Sequence, residues 1–206
     1  YKPADMPTAY GANNHGSIVQ IKNQWYIFYH RHTNGNWYSR QGCAEPITIA
    51  EDGSIAQVEI TSCGLNGGPL AGEGEYPAYL ACHLFTDKPS VYVGGDAYPK
   101  VMQDGKDGDE EIGYVGNIQN SAVIGFKYFD MKHVNRIRVT MRGYISGKIE
   151  VRTTWDGEVL ASLPIQFSNV WETYESEIQI PDGIHSLYFA FCGDGNGALK
   201  SFELLV

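Results

Sequence analysis

Residues 13–32 read NNHGSIVQIKNQWYIFYHRH, an apolar strand pair that begins with a histidine in a glycine turn and ends in His-Arg-His. A neutral imidazole held out by a turn can ligate a metal. It can equally hydrogen-bond its own backbone, and histidines at the rim of a hairpin, such as His30 and His32, are ordinary. Two other groupings have residue types suited to metal chemistry. Between 104 and 111 the chain reads DGKDGDEE, acidic enough for calcium but without the ligand spacing of an EF-hand, so it reads as a solvated acidic loop. The four cysteines, Cys43, Cys63, Cys82 and Cys192, show no CxxC spacing, which argues against a structural zinc site. Cys43 and Cys63 stand almost symmetrically about the EDGS turn at 51–54. A hairpin there would bring them close, and both a disulfide and two buried thiols fit that placement.

The elements that must position these groups are strands. Aromatics make up 13% of the 206 residues, Gly numbers 24 and charged residues only 19%, a mixture that favours short strands joined by glycine turns over helices. A formal charge of -9 argues against phosphate-backbone binding and leaves a neutral partner with aromatic complementarity as the better match. No apolar run approaches the ~18 residues of a membrane-spanning helix. The compartment stays open between secreted, periplasmic and cytoplasmic.

In the first seventy residues the turn signals Asn23-Gln24, Asn34-Gly35 and Asp52-Gly53 separate four expected strands, at 17–22, 25–31, 37–50 and 55–61. Strands this closely spaced form an antiparallel meander. Four of them make one propeller blade, and a lone blade is not a domain. Trp25, Ile27 and Tyr29 fall on one face and Tyr26, Phe28 and His30 on the other, so this sheet needs neighbours on both sides. Glycine and proline then cluster in CGLNGGPLAGEGEYPAY at 63–79, read as a boundary or covering linker. The charge balance shifts there: residues 1–70 carry five acids against four bases, and 71–206 carry nineteen against eleven. Strands resume at 123–130, 135–143, 147–155, 159–164, 173–180, 185–192 and 200–204, a spacing expected of a β-sandwich. The expected fold is all-β, with one domain at 1–70, a second at 71–206 and a boundary region at 63–80.

These residues carry a resemblance. NNHGSIVQIKNQWYIFYHRH, YSRQGCAEPI, the DGSI turn and QVEITSCGLNGG resemble the closing blade of glycoside hydrolase family 43, five-bladed β-propellers acting mainly on arabinose- and xylose-containing polysaccharides. The remainder is similar to a family 6 carbohydrate-binding module, a jelly-roll sandwich, through VGNIQNSAVIGFKYFD, GKIEVR, VWETYESEIQIPDGIHSLYFAF and a terminal SFEL. The resemblance implies an inverting α-L-arabinofuranosidase or β-xylosidase type of parent, with xylan-type polysaccharide or its oligosaccharides as partner. It implies that His15 ligates a cation, calcium being expected, in the propeller shaft. It places Arg40 in the sugar pocket, where a guanidinium can hold a carboxylate and a sugar hydroxyl together. It puts Trp171 in the sugar clamp of the sandwich, and Glu73 and Glu75 where such modules begin with a calcium-binding acidic pair.

Two departures from the family pattern matter. Inversion needs a general acid and a general base whose carboxyls lie ~6.5–9.5 Å apart. The acids before Thr61 are Asp5, Glu45, Glu51, Asp52 and Glu59, and none matches a catalytic motif. The acid, the base and the other propeller blades are therefore expected upstream of residue 1, and this chain alone is expected to be inactive. In the sandwich, Asn117 stands where the second clamp aromatic belongs, and Ala198 stands near the expected asparagine, with Asn196 two residues away. One wall of the clamp is missing, which opens an alternative: a module that binds carbohydrate only, or one that braces the propeller.

Overall fold

The structure is a computed structural model that describes residues 15–36, 38–87, 97–105 and 112–206. Asp5, Trp37 and most of the 104–111 acidic loop lie outside the described residues. Strands dominate and no α-helix occurs among them; none of their helical turns is long and apolar enough to cross a membrane.

The chain begins with a three-stranded antiparallel sheet of β1 (Gly16–Ile21), β2 (Gln24–Arg31) and β3 (Gln41–Ile47), in that order. The two-residue turn at Lys22 and Asn23 sets the β1–β2 register, pairing Ile21 with Gln24 and Gly16 with Tyr29. The expected fourth strand does not form. Residues 55–61 make a single bridge, Ile49 to Ile55, and then leave the sheet. The cause is polar. Thr61 donates its N–H and hydroxyl to the Glu45 carboxylate (2.7 and 2.6 Å), and Glu59 turns outward to Lys127 at 2.9 Å. β1 is an edge strand, exposed along its length, and Ile18, Val19 and Ile21 are uncovered together with Trp25 of β2.

The glycine-rich stretch at 63–79, read as a boundary or covering linker, bridges the two sheet systems: the Leu65 carbonyl accepts from the Tyr26 hydroxyl of the first, and residues 70–71 and 74–77 pair into the second. It forms β4 (Leu70–Ala71) and β5 (Gly74–Pro77), flanked by two 3-10 turns. Then come β6 (His83–Phe85), β7 (Lys100–Asp104), β8 (Ile112–Ile118), β9 (Val123–Met131), β10 (Arg136–Arg152), β11 (Ala161–Ile165), β12 (Ser168–Glu177) and β13 (Gly183–Leu205). Four expected strands merge into two here. β10 and β13 pair along the full length of β10, and each serves two layers. The first half of β10 pairs with β12 and the second half with β11. β13 adds β9 to its first half, and β8 and β5 to its second. The change of layer falls where glycine is required. Gly195 has φ +94°, and a Cβ there would collide with the Tyr144 carbonyl; at Gly147 (φ +149°) it would meet the Cys192 carbonyl.

Between the layers lies an apolar core. Phe126, Phe129, Phe189, Phe191 and Phe202 are fully buried with Ile137, Met141, Ile149 and Leu163. The Phe126 and Phe202 ring centroids are 4.7 Å apart. Period-two alternation produces this: Ile137, Val139 and Met141 point in, while Arg138 and Arg142 point out and pair with Glu175, Glu203 and Asp104.

All four cysteines are free, which settles the open pairing of Cys43 and Cys63 in favour of thiols. Cys63 is buried and its Sγ donates to the Lys127 carbonyl at 3.6 Å.

Candidate functional site

One end of the three-stranded sheet collects the residues singled out in the sequence. Because Gly16 pairs with Tyr29, His15 lies beside His30, their ring centroids 6.1 Å apart. His30 and His32 are 5.4 Å apart. Arg31 pairs with Gln41, which sets Arg40 next to His32 across the two strands. The His32 imidazole is held below its ordinary pKa by partial burial and by the charges of His30 and Arg40. His15 and Arg40 are both exposed. The fold thus gathers a metal-capable imidazole and an open guanidinium at one sheet end, although they lie 25 residues apart in sequence. Among the described residues no three His, Cys, Asp or Glu side chains cluster as metal ligands.

The acids take other roles. Glu51 and Asp52 stand in the exposed hairpin turn, where Asp52 Oδ1 accepts from the Ser54 N–H at 2.9 Å. Glu45, which its sequence setting marks only as a residue before proline, is 2% exposed and accepts from Tyr29 Oη, Thr61 N and Thr61 Oγ1. Burial pushes its carboxyl above the usual range, against the pull of those hydrogen bonds and of Arg31. Glu45 borders a cavity of about 300 Å³ whose walls include His15, Ile27, Tyr29 and Glu59. Glu59 itself reaches Lys127 and Tyr128 of β9. Burial would raise its pKa, but the bonds from Lys127 and Tyr128 outweigh that and hold it low.

In the sandwich, Trp171 on β12 is half-buried, and its ring is covered by the Arg142 guanidinium at 4.2 Å. Arg142 also lies 5.2 Å from the Tyr114 ring and is pinned by both Asp104 oxygens at 3.0 Å. A cation on one face of the indole leaves only the other for a sugar. Trp171→Ala should therefore cost stability, by about 1–2 kcal/mol from lost packing and cation–π attraction, read as a shift of the urea midpoint. Asn117 and Asn196 are brought together, Asn196 Nδ2 donating to Asn117 Oδ1 at 2.9 Å. Glu75 accepts from Ser201 at 2.6 Å and faces Glu203 across β5 and β13, while Glu203 is engaged by Arg138 at 3.0 Å.

Three residues that the sequence reading passed over shape this region: Glu45, Arg142 and Arg31. Arg31 is 6% exposed and donates to the carbonyls of Ala81 and Cys82 at 3.1 and 2.8 Å. Position in the alternation was the available signal. Arg31 and Glu45 share a sheet face with Ile27 and Ile47, where period two expects buried side chains.

No family model matches the chain. Among curated relatives it is 57% identical over 210 residues to a xylosidase/arabinosidase of Thermoclostridium stercorarium, covering 99% of this chain and 44% of that protein. Among solved structures it resembles a glycoside hydrolase family 43 arabinoxylan arabinofuranohydrolase from Bacillus subtilis in complex with cellotetraose, with TM-score 0.59 and 21% identity over 94% of this chain and 41% of that one. It also resembles a carbohydrate-binding module of family 6 from Clostridium stercorarium in complex with cellobiose, with TM-score 0.53 and 13% identity over 67% of this chain and 97% of that module. The chain spans under half the length of the curated relatives it matches. In fold the chain thus resembles a family 43 enzyme over most of its length and a family 6 module over its β-sandwich, and in sequence it is a relative of a xylosidase/arabinosidase.

Proposed function

We propose that this chain is the C-terminal portion of an inverting glycoside hydrolase of the α-L-arabinofuranosidase or β-xylosidase type, acting on arabinose- or xylose-containing polysaccharide. Its blade completes a propeller whose other blades carry the acid and base, and its sandwich braces that propeller. The 57% identity along nearly the whole chain to a protein named xylosidase/arabinosidase carries this reading. The apolar residues left uncovered on the sheet, Ile18, Val19, Ile21 and Trp25, support it, because blades pack face to face.

Within that enzyme Arg40 would contact the sugar and one catalytic carboxylate, its fixed charge keeping that carboxylate ionised. His15 would be one ligand of a calcium ion, the remaining ligands coming from the other blades. The ion would supply positive charge beneath the site. A second calcium beside Glu73 and Glu75 would compete with the Ser201 hydroxyl for Glu75. No step of the chemistry runs through either ion.

The test is a chimera in which this chain replaces the matching C-terminal portion of the Thermoclostridium stercorarium relative. It should release nitrophenol from aryl arabinofuranoside or xyloside, and Arg40→Ala should reduce kcat/KM by about 100-fold, chiefly through KM, as loss of a charge-assisted hydrogen bond to the bound sugar does. An active Arg40→Ala chimera would remove Arg40 from the pocket, and a folded but inactive parent chimera would reject the enzyme reading.

A second reading, sugar binding by the sandwich, is favoured by the Asn117–Asn196 amide pair and opposed by Arg142 on the face of Trp171. Each missing clamp contact costs about 1.4 kcal/mol, roughly tenfold in affinity. Xylan and arabinan should not retard the chain in affinity electrophoresis. Retardation that Trp171→Ala abolishes would establish the binding role instead.

A further inference from the structure

The connection between β2 and β3 is gripped by the sandwich from three separate segments. At its start, Arg31 donates to the carbonyls of Ala81 and Cys82. One turn further on, the Thr33 carbonyl accepts from the Val101 N–H at 2.9 Å, and Asn34 Nδ2 donates to the Val101 carbonyl at 2.7 Å. That two-way pairing ties the connection to β7 as one rung of a sheet would. At its far end, Gln41 Nε2 donates to the Tyr79 carbonyl at 2.6 Å. His32 and Arg40 lie between these anchors, His32 half-buried and Arg40 exposed.

The arrangement is selective. The anchors fall at Arg31, Thr33, Asn34 and Gln41, which bracket Arg40, while at the opposite end of the sheet, beside the 22–23 turn, Ile21 is exposed. An untied connection would lose backbone entropy whenever a ligand fixed it. Tying it in advance removes that loss from binding.

We infer that the sandwich acts as a buttress for the sugar pocket, and that Asn34 and Gln41 are positioning residues that aim Arg40. This rests on the reading of Arg40 given under the proposed function; the tether itself is independent of that reading. The buttress acts before substrate arrives, so its loss falls on ground-state binding rather than on the chemical step. It also gives the sandwich a task that needs no sugar of its own.

Two isosteric changes test this, Asn34→Asp and Gln41→Glu, because each keeps the side-chain shape and removes the amide donor. In the 206-residue chain, mass-spectrometric amide exchange should accelerate at least about tenfold across 32–41 in the double variant, from the loss of two side-chain hydrogen bonds. Exchange across 136–152 and 183–205 should be unchanged. In the chimera, the same pair should raise KM by about tenfold with kcat changed less than about threefold, since uniform binding is what is lost. Unchanged exchange at 32–41 would overturn the tether. Faster exchange with unchanged KM in an active chimera would overturn the positioning role. A folded, inactive parent chimera would reject the enzyme reading and the aim of Arg40 with it, while the exchange result would still decide whether the sandwich holds the connection.

Discussion

Replacing Arg31 by alanine should destabilise the chain by about 3 kcal/mol, with the damage concentrated in the three-stranded sheet. Hydrogen bonds from a charged donor contribute about 1.5–3 kcal/mol each, and a buried acceptor stripped of its partner loses a comparable amount. Arg31 makes two such bonds, to carbonyls of the chain segment that leads into β6. The planar fork matters as much as the charge. Arg31→Lys keeps a cation but cannot span both carbonyls in one plane, so it should lose about half as much. Urea denaturation followed by Trp fluorescence gives the stability change, and amide exchange locates it. Faster exchange confined to 16–47 is expected; an equal rise through β10 and β13 would mean that the two parts unfold as one unit.

The second large effect concerns Glu45, where size and sign can both be tested. Glu45→Ala leaves the Thr61 N–H, the Thr61 hydroxyl and the Tyr29 hydroxyl without their acceptor and opens space next to the cavity. About 2–4 kcal/mol should be lost. Glu45→Gln keeps one acceptor oxygen and should lose far less, and it separates the charge from the hydrogen bonds. Because burial raises the Glu45 pKa, ionisation is disfavoured in the folded state relative to the unfolded one. Native stability should therefore decline as pH rises from the ordinary glutamate range through the raised folded value. Glu59 runs the other way: its lowered pKa contributes stability above the ordinary glutamate range that fades as pH falls through its folded value. Glu59 is half-exposed, so solvent screening keeps its share small. The stability of Glu45→Gln relative to the parent should consequently improve between pH 4 and pH 8. A difference that stays flat with pH would show that Glu45 is not a desolvated carboxylate.

Most of the fold was legible because it rests on local signals. The two-residue turn after β1 and the alternation in RIRVTMRG and KIEVRTTWDG specify strands and faces directly. The misreadings have a common physical origin in long-range pairing. Residues 55–61 have strand-like composition, but the Glu45 carboxylate captures Thr61 and the Lys127 ammonium captures Glu59, and no local signal announces partners 16 and 68 residues away. The glycines of 143–147 and 193–197 read as turns because glycine permits a turn; here they let two long strands pass between layers. The stretch at 63–79 reads as a linker for the same reason, yet its short strands pair with β9 and β13.

The site was legible only in part. His15 and Arg40 are found at one sheet end because register follows from the β1–β2 turn. The cover on Trp171 was not readable, since Arg142, Asp104 and Tyr114 come from three strands whose order the sequence does not display. Arg31 and Glu45 carried a readable warning, a charged residue on the buried phase of an alternating strand. Such a residue is costly unless paired, and both are paired.

As proposed above, this chain contributes a blade, a pocket arginine and a brace to its enzyme, but neither catalytic carboxylate. The direct measurement is nitrophenol release from aryl α-L-arabinofuranoside and β-D-xyloside by the 206-residue chain alone, with Glu45→Gln assayed beside it. Glu45 is the sharpest control, because a buried carboxyl with a raised pKa has the character of a general acid. The account predicts rates equal to the enzyme-free blank for both proteins. Turnover by the native chain that Glu45→Gln abolishes would contradict it.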